Sequence, residues 1–238
     1  MPADPKRTIA IIPARGGSQR IPRKNIRSFN GRPILEWSVR AAHASGQFDE
    51  IMVSTEDPDI AKIAEACGAK VPFLRSVKNA DHHATTVHVL CEVLAQYCDA
   101  GRSFDLACCL YPTAAFVRAE DLSNGRAALE AGGFDVFMPV AEFDNSIWRS
   151  LRRGLDGTIS MNFPDNCDVR TQDLEKAYHD AGQWYWFVVP KLNPKSNLMR
   201  LNAGSVLLPN TRVQDIDNEE DWAIAEGKHR GEFGKMGG

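Results

Sequence analysis

Residues 8–35 read TIAIIPARGGSQRIPRKNIRSFNGRPIL, an apolar, β-branched run that stops at Pro13 and gives way to Gly16, Gly17 and a burst of positive charge. Thr8 to Ile12 is apolar throughout rather than alternating, as a parallel strand covered on both faces must be. Gly16, Gly17 and Ser18 follow at once, and residues without bulky side chains let backbone N–H groups approach an anion closely. No acidic residue lies between Asp4 and Glu36, whereas Arg15, Arg20, Arg23, Lys24, Arg27 and Arg32 all fall there, on a chain of net charge -3. The stretch reads as a buried strand feeding a polyphosphate-binding loop; the alternative is an ordinary strand-to-helix turn beside solvated arginines. Neither G-x-x-x-x-G-K-[ST] nor G-x-G-x-x-G occurs, so the P-loop and the dinucleotide fingerprint are both absent.

Working outward, 238 residues suit one α/β domain with a sizeable core. Hydrophobic residues at 43% and charged residues at 25% match a folded globular chain and fit neither disorder nor a membrane protein. No apolar run reaches the roughly eighteen residues of a membrane span, and MPADPKRT lacks the apolar centre of a signal peptide. A cytoplasmic location and no membrane partner are expected. A sequence pI of about 6.1, with no aromatics interleaved in the basic segment, argues against nucleic acid as a partner. The six cysteines show neither disulfide nor metal spacing and read as small buried hydrophobes. His82, His83 and His88 have no carboxylate or cysteine at zinc-site spacing beside them.

Strand and helix then alternate. Strands are expected at 8–12, 50–55, 71–74, 104–110, 134–140, 184–189 and 204–208. Helices are expected after Pro33, after the Asp57-Pro58 cap, from Thr85 or Thr86, over 119–131 and over 217–228. This order predicts an α/β fold with a doubly wound, mostly parallel sheet and ligands at the carboxyl ends of its strands. From 141 to 183 the alternation breaks, and Trp148, Arg149, Arg152, Arg153, Arg170, Tyr178 and His179 appear in a stretch with little helical period. A surface hairpin is one reading; the mix of Trp, Tyr and Arg also suits an interface. Asp215 and Asp217 are spaced so that, on an extended segment, both side chains project to one face. Paired hard oxygen ligands suit Mg2+, while Asp217 with Glu220 also fits a helix capping box.

PARGGSQRIPRKNI, followed in order by LRSVKNADHHATT, YPTAAFVRAEDL, RTQDLEKAYHDAGQWYW and VQDIDNEEDW, resembles the sugar-acid cytidylyltransferases over nearly the whole chain, with wording closest to the pseudaminic acid branch. The resemblance implies a Rossmann-like nucleotidyltransferase fold in a single domain over 1–238, and CTP and a nine-carbon sugar acid as substrates. It implies Mg2+ as cofactor, held by Asp215 and Asp217, and a homodimer whose excursion, residues 141–183, packs on a second copy and helps cover the sugar site. Arg15 and Lys24 match positions that hold the triphosphate, and with Asp217 they form the implied catalytic set. Ala14, Gly16, Gly17, Ser18 and Arg20 complete the loop; Asn25 and Thr86 fall near the ribose and Arg75 near cytosine. Tyr111, Arg170, Gln172, His179, Asp180 and Gln183 look like contacts to the acid. The family usually has lysine where this chain has Gln19, with Arg20 adjacent to supply charge. Two alternatives stay open beside this reading: a nucleotidyltransferase for another sugar or cofactor, and a non-catalytic nucleotide-binding module.

Overall fold

The computed structural model describes residues 5–81, 84–195 and 197–234. In chain order it has β1 Thr8–Pro13, the small hairpin β2 Ser28–Phe29 and β3 Arg32–Pro33, α1 Ile34–Ser45, β4 Glu50–Ser54, α2 Pro58–Ala66, α3 Val77–Ala80, α4 Thr86–Asp99, β5 Leu106–Leu110, α5 Ala119–Gly132 and β6 Val136–Glu142. There follow β7 Leu151–Arg153, β8 Ile159–Met161, β9 Tyr178–Asp180, β10 Trp184–Val188, β11 Ala203–Leu207 and α6 Glu219–Phe233. The main sheet runs β11-β6-β10-β5-β1-β4, with β9 added beside β6.

Helices cover both faces of this sheet, and that explains the apolar runs. In β1, Ala10 and Ile12 enter the core layer that includes Leu35, Val39 and Trp186, while Ile9 and Ile11 enter the opposite layer with Leu90, Val93 and Tyr97. Cys108 and Cys109 part in the same way, one to each layer. Cys98 and Cys167 are exposed, contrary to the reading of all six cysteines as buried. Gly125 lets α5 close on the sheet: a Cβ there would stand 2.6 Å from the Trp184 ring, a contact that only glycine allows.

Three expectations need correction. Residues 71–74 form no strand; a single parallel bridge, Met52 with Lys70, is all that pairs there. β10 runs antiparallel to both β5 and β6, because a run buried on both faces carries no mark of its direction. The excursion is shorter than 141–183, since Val140–Glu142 pair antiparallel with Tyr178–Asp180 and keep both ends in the sheet.

At the end of the sheet opposite the basic loop, Glu50 opens β4 with its side chain 1% exposed. Its carboxylate accepts hydrogen bonds from Tyr97 Oη at 3.0 Å, Lys70 Nζ at 3.0 Å and Arg102 at 2.9 Å. Burial pushes the Glu50 carboxyl up, and these donors outweigh it, holding the group below its ordinary range. Glu50→Ala is expected to cost about 2 kcal/mol, because a buried acceptor is lost and its donors are left behind. The urea midpoint measures this; a change below ~0.5 kcal/mol, ordinary for a surface site, would show the network to be dispensable.

Candidate active site

β1, β4 and β5 end side by side, with β1 paired to the other two, and the chain leaves them on loops that enclose a cavity of about 470 Å3. A crevice at the carboxyl ends of parallel strands is where such sheets bind ligands. Arg15, Ser18, Gln19, Arg20, Lys24 and Asn25 line one wall; Arg75, Asn79, Asp81, Thr86, Tyr111 and Thr113 line the other.

The basic wall is held from behind. Ala14 N–H donates to Ser54 O at 2.9 Å and Gly16 N–H to Glu56 Oε1 at 2.7 Å. Asn25 is buried and donates from Nδ2 to Arg15 O at 2.8 Å, which fixes the loop backbone. A Cβ on Gly16 would stand 2.6 Å from Asp57 Oδ2, so glycine here serves the packing of the loop on the cap of α2. The loop therefore presents Arg15, Ser18 and Arg20 to the cavity, while Ala14 is fully buried and Gly16 and Gly17 are outside its lining. Gly16 spends its amide on Glu56 rather than on a ligand.

Lys24 reaches across to the segment before α6, donating from Nζ to Ile216 O at 2.6 Å. Burial is the largest influence on it and lowers its pKa, against the opposing pull of Asp217 and Asp215. Ile216 is buried in the core formed by Phe29, Phe116 and Trp222, and in an extended segment that turns Asp215 and Asp217 to the other face together. The cap of α6 is Asn218, whose side chain accepts the Asp221 N–H at 3.0 Å while Asp221 returns to the Asn218 N–H at 3.1 Å. Asp217 is thus not the cap, and its carboxylate is paired with Arg20 at 2.7 Å. Among the described residues no group of three or more His, Cys, Asp or Glu is placed to hold a metal; His82 and His83 lie outside those residues. Two carboxylates without a third protein ligand fit a hard cation that completes its shell with water and substrate phosphate oxygens.

Tyr111 and Thr113 are shared with a second cavity of about 320 Å3, lined also by His179, Asp180, Gln183, Tyr185 and Asp215. Tyr111 is pushed up to about 12, first by burial, and its hydroxyl lies 3.4 Å from Thr86 Oγ1. Tyr185 donates to Asp180 Oδ2 at 2.6 Å, and the Gly182 N–H holds the other carboxylate oxygen at 2.8 Å. Gln183 is buried, donating to Arg212 O at 2.6 Å. Arg75 is buried with its guanidinium on Ser54, donating from Nε to Oγ at 3.1 Å and from a terminal nitrogen to the carbonyl.

Arg170 and Gln172 stand apart from both cavities. Both are exposed on the excursion, and Arg170 pairs with Asp173 at 2.7 Å. Sequence reasoning passed over Asn79, Asp81 and Thr113, whose types carry no signal without a fold. It also passed over Tyr185, which alternation along β10 places on the face opposite Trp184 and Trp186.

Solved structures of like shape include CMP:2-keto-3-deoxy-manno-octonic acid synthetase complexed with CTP, with a TM-score of 0.70 at 15% identity, covering 95% of this chain and 99% of that one. At that identity the likeness concerns the fold. Pseudaminic acid cytidylyltransferase of Campylobacter jejuni is 32% identical over 92% of this chain and 95% of its own length. CMP-N,N'-diacetyllegionaminic acid synthase of Legionella pneumophila is 30% identical over the same two shares. N-acylneuraminate cytidylyltransferase A of Danio rerio is 31% identical over 95% of this chain and 52% of its own length. The family described as cytidylyltransferase matches residues 9–186, which contain the basic loop, Arg75 and Tyr111. With the match spanning most of the sheet, the chain belongs to the cytidylyltransferase family, the CTP-dependent nucleotidyltransferases.

Proposed function

We propose that the protein transfers CMP from CTP to the anomeric hydroxyl of a nine-carbon 2-keto sugar acid, pseudaminic acid by preference, with release of pyrophosphate. One observation carries this reading: a cation-walled cavity meets a second cavity, lined by His179, Asp180 and Gln183, at a shared wall of Tyr111 and Thr113. A triphosphate in the first and an acid in the second would bring the hydroxyl oxygen to the α-phosphorus. That oxygen forms the new P–O bond, the bond to the β-phosphate breaks, and the hydroxyl proton leaves to solvent. Arg15, Arg20 and Lys24 hold the triphosphate and stabilise charge that develops on it. Asp215 and Asp217 would hold Mg2+, which would supply further neutralisation of the phosphates. Asn25 fixes the loop, and Thr86 stands beside Tyr111 at the boundary of the two cavities.

The protein would act in the cytoplasm as a homodimer. No helix among the described residues is long and apolar enough to cross a membrane. Leu151, Leu155, Ile159 and Phe163 are exposed on the excursion, an apolar surface that a second copy would cover. Such packing would also bring Arg170 and Gln172 over an acceptor cavity. Light scattering at micromolar concentration is expected to give about twice 26.3 kDa; a strict monomer would remove these two residues from the site.

A pyrophosphate-release assay over four nucleotides and several sugar acids tests the reaction. Polar pockets reject an analogue that lacks the matching group, so pseudaminic acid is expected to exceed N-acetylneuraminic acid in kcat/KM by roughly a hundredfold. Equal use of the two acids would mean that Tyr111 does not select.

A further inference from the structure

The nucleotide cavity has two chemically distinct ends. Arg15, Arg20 and Lys24 crowd one of them, close to Asp215 and Asp217. Arg75, Asn79, Asp81, Ala84 and Val89 form the other. The triphosphate belongs with the cations and away from Asp81, which leaves the base to the second wall.

At that wall Asn79 is held in one orientation. Glu92 of α4 grips the α3 turn with both carboxylate oxygens: Oε1 accepts the Ser76 N–H at 2.9 Å and Oε2 accepts Asn79 Nδ2 at 2.8 Å. Ser76 caps the same turn by accepting the Asn79 N–H at 3.3 Å. A carboxylate only accepts, so the end of the Asn79 amide that faces Glu92 must be its NH2 group, and the oxygen is the end left for a ligand. Burial pushes the Glu92 carboxyl up, but the bonds from Ser76 and Asn79 and the charge of Arg75 hold it below its ordinary value. Glu92 therefore remains an ionised acceptor at neutral pH.

We propose that Glu92 is a positioning residue for base selection, locking the Asn79 amide so that Oδ1 receives the exocyclic amine of cytosine. Cytosine carries a donor where uracil carries an acceptor. The locked oxygen pairs with CTP and meets a lone pair in UTP. Glu92→Gln inverts the arrangement. The Ser76 N–H still takes an oxygen, which turns the new amide nitrogen towards Asn79; Asn79 rotates to accept it and offers its NH2 group to the cavity.

The test is calorimetric binding of CTP and UTP to the full chain, which needs no acceptor and so stands apart from the identity of the acid. The wild type is expected to bind CTP about a hundredfold more tightly than UTP, within the range for a mismatched polar group. Glu92→Gln is expected to lower that ratio at least tenfold with an absolute gain for UTP, and Asn79→Ala to lower it without the gain. An equal loss for both nucleotides in Glu92→Gln, the result of a merely structural role, overturns the proposal. Should Glu92→Gln fail to fold, Asn79→Ala decides, and an unchanged CTP-to-UTP ratio in it overturns the proposal equally.

Discussion

Asp215→Asn and Asp217→Asn are each expected to lower Mg2+-supported turnover by at least two orders of magnitude, the scale set by losing one charge-stabilising group at a transition state. Asparagine is the informative replacement, since it keeps shape and removes half the hard oxygen. The cap of α6 is Asn218 with Asp221, so the helix does not need the Asp217 carboxylate. The Asp217 pair with Arg20, whose side chain is 69% exposed, should contribute less than ~1 kcal/mol. Thermal unfolding is therefore expected to stay near the wild-type value while activity collapses. Raising the Mg2+ concentration should recover part of it, as expected for a weakened site rather than a lost fold. Near-normal turnover in both variants would sink the metal assignment.

Lys24→Met is the second large effect. It keeps the aliphatic stem and removes the ammonium, and a loss of roughly two orders of magnitude in kcat is expected when a charged donor is taken from the reacting phosphates. The structure adds a second consequence, because Lys24 Nζ also holds Ile216 O at 2.6 Å. The variant loosens the segment that carries both aspartates, so its Mg2+ requirement should rise along with the fall in kcat. Unchanged kcat, measured at saturating CTP, would take Lys24 out of the catalytic set.

The basic loop was legible because its features are local. β1 is apolar from Ile9 to Ile12 for the same reason that it is buried on both faces, and the segregation of cations between Asp4 and Glu36 needs no fold to be seen. Asp57 before Pro58 also announced itself, and its side chain caps α2 by accepting the Asp59 and Ile60 N–H groups at 2.8 and 3.2 Å. The start of α6 shows the limit of local reading. Asp217 with Glu220 and Asn218 with Asp221 both satisfy the spacing of a capping box, and only the burial of Ile216 and Trp222 in one core sets the phase.

Gly16 gives the same lesson from the other side. Its place after a strand suggests an amide offered to phosphate, yet that amide goes to Glu56, forty residues on. The sequence by itself determined the alternation of strand and helix, the basic loop and the paired aspartates, because periodicity, capping and charge segregation are written between near neighbours. Tertiary structure alone decided that β10 runs antiparallel, that Asp217 faces Arg20 rather than capping a helix, and that Glu92 holds Asn79 from another element. Such contacts join residues far apart in the chain, and a side chain's chemical type does not say which distant partner the packed core will bring to it.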